Sequence, residues 1–266
     1  MNTIVQEIMK GSVDLHVKGS PGISEERMDI LEIARSAYES EIESFVYRSD
    51  SHPTAATSSI MQQMYPDLNI IGSIVLNEAV GGINPSAVEA SIQHDAKVVW
   101  IPPSATKEGF HNKTGKAEIL SENLLKTLDV IASHEMTLMS ELTSPSKTIT
   151  LFREAKKRGV SRMVAGNLFG FCSIDNQIAI ADHGVYLEYK FLSCMPTVGK
   201  ISAIEMTKAI EAVGVEKCIV TTGFGQWFNP LPAEGLRMAI ATLLHFGLNA
   251  NQVSTLVKEN PKSILS

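Results

Sequence analysis

Residues 69–101 read NIIGSIVLNEAVGGINPSAVEASIQHDAKVVWI, a strand, a helix and a second strand. Asn69–Leu76 is a strongly apolar run rich in β-branched residues, the pattern of a strand. Asn84-Pro85-Ser86 opens a helix that ends near His94. Asn84 suits the N-cap, and Pro85 suits the first helical position because the N–H it lacks has no partner there. Lys97–Ile101 is again apolar and β-branched. Parallel neighbours need a crossover of this kind, so the stretch predicts a βαβ unit.

The unit recurs on both sides. Upstream lie strands at Ser12–Val17 and Ile42–Tyr47, with helices from Ser24 to about Tyr38 and from about Thr54 to Tyr65. Downstream lie strands at Thr137–Met139, Arg162–Ala165, Val185–Tyr189 and Glu216–Thr221. Helical patterns separate them, ending with Leu231–Phe246 and Asn249–Glu259. About eight units in 266 residues predict an α/β fold, a single-domain (β/α)8 TIM barrel over 1–266. A doubly wound sheet would carry a phosphate-binding glycine fingerprint after the first strand, and Lys18-Gly19-Ser20-Pro21-Gly22 is not one. Segment 102–118 is too long for a tight βα turn and reads as a lid or a passive insertion; 249–266 reads as a C-terminal helix.

Lys and Arg total 23 against 29 Asp and Glu, a net charge of −6, so no basic field exists to hold a phosphate backbone. Nucleic acid is therefore not an expected partner, and the longest apolar stretch is too short and polar for a membrane span. Hydrophobic residues at 44% support a large core and exclude a disordered chain. Cys172, Cys194 and Cys218 fit neither a disulfide framework nor a zinc ribbon, and suggest a reducing, cytoplasmic setting. The Leu231–Phe246 helix is apolar on most sides, from Leu236 to Phe246. Packing against the barrel explains this, and so does the interface of a homo-oligomer, which is the expected assembly.

In such barrels chemistry gathers where the strands end. That places His16 and Lys18, preceded by Asp14, at the end of strand one, and Arg48, Asp50 and His52 after strand two. It adds Asn77 and Asn84, Trp100, Glu141, Asn167, Glu188 with Lys190, and Gln226 from the later strands. Asp14, His16 and Lys18 alternate, so all three are expected to face the interior. Glu188 and Lys190 share a parity and are expected to pair.

Several segments resemble an uncharacterised amidohydrolase-like TIM-barrel family. They are Asp14-Leu15-His16-Val17, Ser51-His52-Pro53-Thr54, Gly72–Asn77 with Val80–Pro85, Ala96–Trp100, and Thr222–Gln226 leading to Asn229-Pro230 and Glu234–Arg237. The resemblance covers nearly the whole chain and implies the same barrel. It also implies that metal-ligand positions have been lost. The first-strand His-x-His reads His16 and Lys18, the strand-five histidine reads Glu141, and the strand-six histidine reads Asn167. The strand-eight aspartate reads Gly223, and the position after strand two reads Asp50.

An ammonium only donates and carries positive charge, so Lys18 opposes a divalent cation. The expected function is a metal-independent hydrolase or lyase, without a cofactor, acting on a small polar or carboxylated substrate. Lys18, Glu141, His16 and Asp50 are the candidate catalytic residues, with Glu141 as general base. Asp14, Arg48, His52, Asn77, Asn84, Trp100, Asn167, Glu188, Lys190 and Gln226 are the candidate substrate-binding residues. Two alternatives stand beside it: a hydrolase holding a divalent metal on His16, Asp50 and Glu141, and a non-catalytic barrel kept for binding. Lys18 itself reads either as the reactive amine or as a charge paired with Asp14, Glu141 or Glu188.

Overall fold

A computed structural model describes residues 2–22, 25–111, 119–199 and 201–266. Eight parallel strands pair in chain order: β1 (Val13–Lys18), β2 (Ser44–Arg48), β3 (Asn69–Val75), β4 (Ala96–Ile101), β5 (Thr137–Ser140), β6 (Met163–Ala165), β7 (Tyr186–Lys190) and β8 (Cys218–Thr221). Helices alternate with them, so the fold is the expected (β/α)8 barrel. The seam between β8 and β1 is bridged by backbone bonds from Gly223 N–H to His16 O (3.1 Å) and from Lys18 N–H to Phe224 O (2.9 Å).

Two layers of core follow from strand alternation. Val13, Leu15, Val46, Val75, Val98, Trp100, Met139, Val164 and Ile219 fill the barrel, while Phe45, Tyr47, Ile74, Val99 and Val220 pack outward under the helices. Ile264 and Leu265 join the inner layer, so the chain's C-terminal helix closes the bottom of the barrel. Thr137 Oγ1 donates to Ile264 O (2.6 Å) and fastens it there.

Most element boundaries fall within a few residues of those read from the sequence. The helix after β1 is the largest departure: it spans Ile30–Glu39, with Asp29 accepting from Glu32 N–H as its N-cap. Ser24, the expected start, lies outside the described residues. A helix at Asn2–Met9, with Val5, Ile8 and Met9 buried, precedes the barrel and was not anticipated. Within 102–118, a turn of helix at Thr106–Gly109 and the strand Phe110–His111 are described; residues 112–118 are not. In the last long helix (Pro232–His245), Leu236, Ile240 and Leu243 are buried against the barrel, Met238 and Leu244 are half-buried, and Phe246, just past its end, is exposed. All three cysteines are free thiols, and burial pushes Cys194 and Cys218 up to about 12.

Candidate active site at the barrel mouth

The β1–β2 register slips between Asp14 and Val17, and this decides which side chains enter the barrel. Before the slip Val13 points inward and Asp14 shares the register of the outward Phe45; after it, Lys18 is level with Arg48. Strict alternation would put Asp14, His16 and Lys18 on one face, and that expectation is corrected here. The extra residue sends Leu15 and His16 to the interior together and leaves Asp14 at the seam. There its carboxylate accepts from Thr222 N–H (3.2 Å), Thr222 Oγ1 and His16 N–H (3.1 Å).

Burial raises the Asp14 carboxyl to about 7, against the downward pull of those hydrogen bonds. A folded value above the unfolded one means that its stabilisation is complete below about pH 4 and is lost as pH rises through 7. The wild-type protein is therefore expected to lose on the order of 4 kcal/mol between pH 4 and 8 relative to Asp14→Asn. Urea unfolding at several pH values checks this; parallel pH profiles in the two proteins would contradict it.

His16 sits at the centre of the floor. Its Nδ1 lies 2.9 Å from Glu188 Oε1, its Nε2 lies 3.1 Å from Arg48 Nη1, and its ring meets Trp100 edge-on at 4.7 Å. A guanidinium can only donate, so Nε2 carries the lone pair and Nδ1 carries the proton given to Glu188. The imidazole is thus neutral. Burial lowers its pKa, and Arg48 and Lys190 add to that against Glu188.

Arg48 is the hub. Nη1 also forms an ion pair with Glu141 Oε2 (2.6 Å), Nη2 donates to Asp50 Oδ1 (2.9 Å), and the guanidinium carbon lies 4.6 Å above the centre of the Trp100 ring. Burial works against this charge, but Glu141 and Asp50 more than restore it. Glu141 takes a second cation from Lys190 (2.8 Å). Burial pushes Glu141 up, yet Arg48 and Lys190 hold it well below the ordinary carboxylate range, which makes it a poor general base. Lys190 therefore pairs with Glu141, not with Glu188 as parity suggested; Glu188 accepts from His16 and from Thr221 Oγ1 (2.8 Å). Parity placed both residues inside, but the stagger of the strands selects the partner.

Exposure rises from floor to rim. The Glu188 and His16 side chains are 0% and 3% exposed, whereas Lys18 and Asp50, joined at 2.5 Å, reach 21% and 33%. Lys18 thus pairs with Asp50, a partner absent from the sequence expectation. Burial raises the Asp50 carboxyl, but Arg48 and Lys18 together bring it below its ordinary value. Gly225 lies over this pair: a Cβ there would come within 2.4 Å of Lys18 Cβ, so the loop after β8 needs glycine to close on β1. Glu26, from the loop after β1, approaches the same pair; burial raises its pKa, Lys18 lowers it and Asp50 raises it again.

The other predicted residues fall outside this network. Asn77 donates to Asp50 O (2.7 Å) and caps a short helix through Ala79 N–H; Asn84 caps the next helix through Ala87 N–H. Gln226 bonds Gly223 O and Asn229 within its own loop, and Asn167 takes a left-handed turn (φ 60) after β6. His52 lies in the turn after β2, bonded to Ser49 and Ser51. Trp100 is fully buried, so it forms the floor under Arg48 and His16 and presents no face to a ligand. Gly166 carried no sequence signal, yet a Cβ there would lie 2.3 Å from Glu188 Oε2, so glycine makes room for that carboxylate. A surface groove of about 590 Å³, lined by Asn84, Glu89, Asn123, Lys126 and Asp129 among others, shares none of the network residues.

A divalent ion does not suit these donors as arranged. The one imidazole lone pair and a Glu141 oxygen are both engaged by Arg48 Nη1, and Lys190 and Lys18 flank them. The set His16, Asp50 and Glu141 encircles a guanidinium, and among the described residues no three His, Cys, Asp or Glu side chains converge as ligands.

A family model matches residues 11–188, which includes β1 to the middle of β7 and most of this network. The chain belongs to a family of unknown function, DUF6282. No curated protein matches it. Among solved structures it is similar to an amidohydrolase from Pseudomonas aeruginosa at 10% identity and a TM-score of 0.69, over 99% of this chain and 97% of that one. It is also similar to a lactonase from Listeria monocytogenes (11%, TM-score 0.67, 97% and 95%). A putative 2-pyrone-4,6-dicarboxylic acid hydrolase from Pseudomonas putida gives 11% identity and a TM-score of 0.64 over 96% and 97%. At these identities the likeness shows the fold alone, the (β/α)8 barrel expected from the sequence.

Proposed function

We propose that this barrel is a metal-independent hydrolase of small carboxylated substrates, working at the Lys18–Asp50 rim. The observation that carries the reading is the position of Arg48, whose Nη1 joins His16 Nε2 and Glu141 Oε2. A permanent, fixed cation thereby supplies the positive charge on which the mouth is built, and it needs no solution ion. The similar solved structures include a lactonase and an amidohydrolase, which supports hydrolysis as the reaction class. Lyase chemistry has no comparable support.

The roles follow from exposure. Lys18, held by Asp50 at the rim, places an ammonium where a carbonyl oxygen gains negative charge during attack. Asp50, drawn below its ordinary value, is a weak base, and its part is to hold Lys18. His16, Glu141, Glu188 and Lys190 are too enclosed to meet substrate and act by fixing Arg48. A substrate carboxylate would be met by Lys18 in exchange for its contact with Asp50.

One observation favours a second reading, a barrel that binds without catalysis: Arg48, Lys18 and Lys190 are each already met by a carboxylate of the protein. Turnover of a panel of small carboxylated esters and lactones in the presence of a chelator separates the two. Hydrolysis that survives chelation and is lost in Lys18→Met supports the enzyme; ligand binding without turnover supports the binding barrel.

A further inference from the structure

The turn after β2 carries a second chain of polar groups, outside the ion network. Ser51 Oγ lies 2.8 Å from His52 Nδ1, and Ser49 Oγ lies 2.9 Å from Ser51 Oγ and 3.1 Å from the same nitrogen. Ser49 is buried, while Ser51 and His52 are half-buried and reachable from solvent. One imidazole lone pair accepts one strong hydrogen bond, and the shorter contact assigns it to Ser51. Ser49 is left to donate to Ser51 Oγ, giving the proton order Ser49, Ser51, His52. Burial lowers the His52 pKa, which favours the neutral ring that accepts at Nδ1.

The turn is held from several sides. Thr54 Oγ1 donates to Tyr47 O (2.7 Å), Thr54 N–H donates to Ser73 O (2.9 Å), and Asn77 Nδ2 donates to Asp50 O. The Tyr47 ring meets His52 edge-on at 6.4 Å. Asp50, the partner of Lys18, stands between Ser49 and Ser51 in the chain, so the turn that carries the hydroxyl also carries one carboxylate of the rim. A hydroxyl within hydrogen-bond reach of a histidine that accepts from it pairs a nucleophile with a base, the first requirement of covalent acyl transfer.

We propose that Ser51 is a nucleophile and His52 its base, so that hydrolysis at this mouth passes through an acyl-serine. The proposal rests on the hydrolase reading above and names the attacking group. Ser51 Oγ bonds to the carbonyl carbon of an ester or lactone while its proton passes to His52 Nδ1. The bond to the leaving oxygen breaks, and that oxygen takes the proton from His52. Water then attacks the acyl-serine and gives its proton to His52, which returns it to Ser51 as the carboxylic acid departs.

The test uses the full chain and an alkyl fluorophosphonate, read by intact mass and peptide mapping. The expected result is one adduct per chain, formed with loss of fluoride, on Ser51. Ser51→Ala abolishes it, and His52→Gln slows it about 100-fold; thermal melting confirms that both variants fold. No adduct on the folded protein, or labelling at the wild-type rate in either variant, overturns the proposal. The readout does not depend on turnover. Ester hydrolysis that survives in Ser51→Ala removes Ser51 and leaves the hydrolase reading standing. Specific labelling of Ser51 without turnover of the panel keeps the activated serine and removes that reading.

Discussion

Arg48→Met is expected to destabilise the protein by about 3–5 kcal/mol, the cost of removing one partner from a buried charge network. Arg48 meets Asp50, Glu141 and the His16 lone pair at once, and its plane rests on Trp100. Methionine restores some contact with the indole but leaves Glu141 with Lys190 alone, and leaves His16 Nε2 without its donor. At roughly 2–4 °C per kcal/mol, the melting temperature should fall by about 10 °C. Arg48→Lys should recover little, because a single ammonium cannot reach three acceptors set around a planar fork. Thermal and urea unfolding of both variants check this. Wild-type stability in Arg48→Met would mean that the guanidinium is not the fixed charge of the mouth.

Lys18→Met is expected to leave stability within about 1 kcal/mol of wild type while lowering hydrolysis roughly 100- to 10,000-fold. Its ammonium is partly hydrated and its pair with Asp50 reaches solvent, so little folding energy depends on it. A charge aimed at a developing oxyanion, by contrast, acts on the rate alone. The loss should fall mainly on kcat, with a smaller rise in KM from the weakened hold on a substrate carboxylate. Full activity in Lys18→Met would retire the rim mechanism; loss of folding would show that Lys18 belongs to the structural network.

Much of the architecture was legible because strand and helix periods leave marks in the chain. The apolar run before Leu76, the Asn84-Pro85 start and the strand at Lys97–Ile101 each carry local chemistry that admits one reading. The rule that chemistry lies at strand ends then brought His16, Lys18, Arg48, Asp50, Glu141, Glu188 and Lys190 into one list, and the structure joins all seven in one network.

The pairings within that list were not legible. One residue inserted at Leu15–His16 changes no composition, yet it turns Asp14 from the interior to the seam. Arg48 was placed among the substrate donors and Lys18 where a metal would sit. The longer side chain of Arg48, entering from β2, is the one that reaches His16 Nε2. Such a choice depends on strand stagger and side-chain length together, and neither is written in local sequence. Asn77, Asn84 and Gln226 looked like ligand-facing amides because of their position, but capping and loop hydrogen bonds already engage them.

The central claim is that a guanidinium, and not a dication, joins His16 Nε2 to Glu141 at the barrel mouth. Calorimetric titration of zinc into the freshly prepared wild-type chain tests it most directly, with elemental analysis of the same sample. The account predicts no stoichiometric binding at micromolar zinc, because His16 Nε2 and Glu141 are held by Arg48. Binding of one equivalent per chain, abolished by His16→Ala and Glu141→Ala, would contradict it.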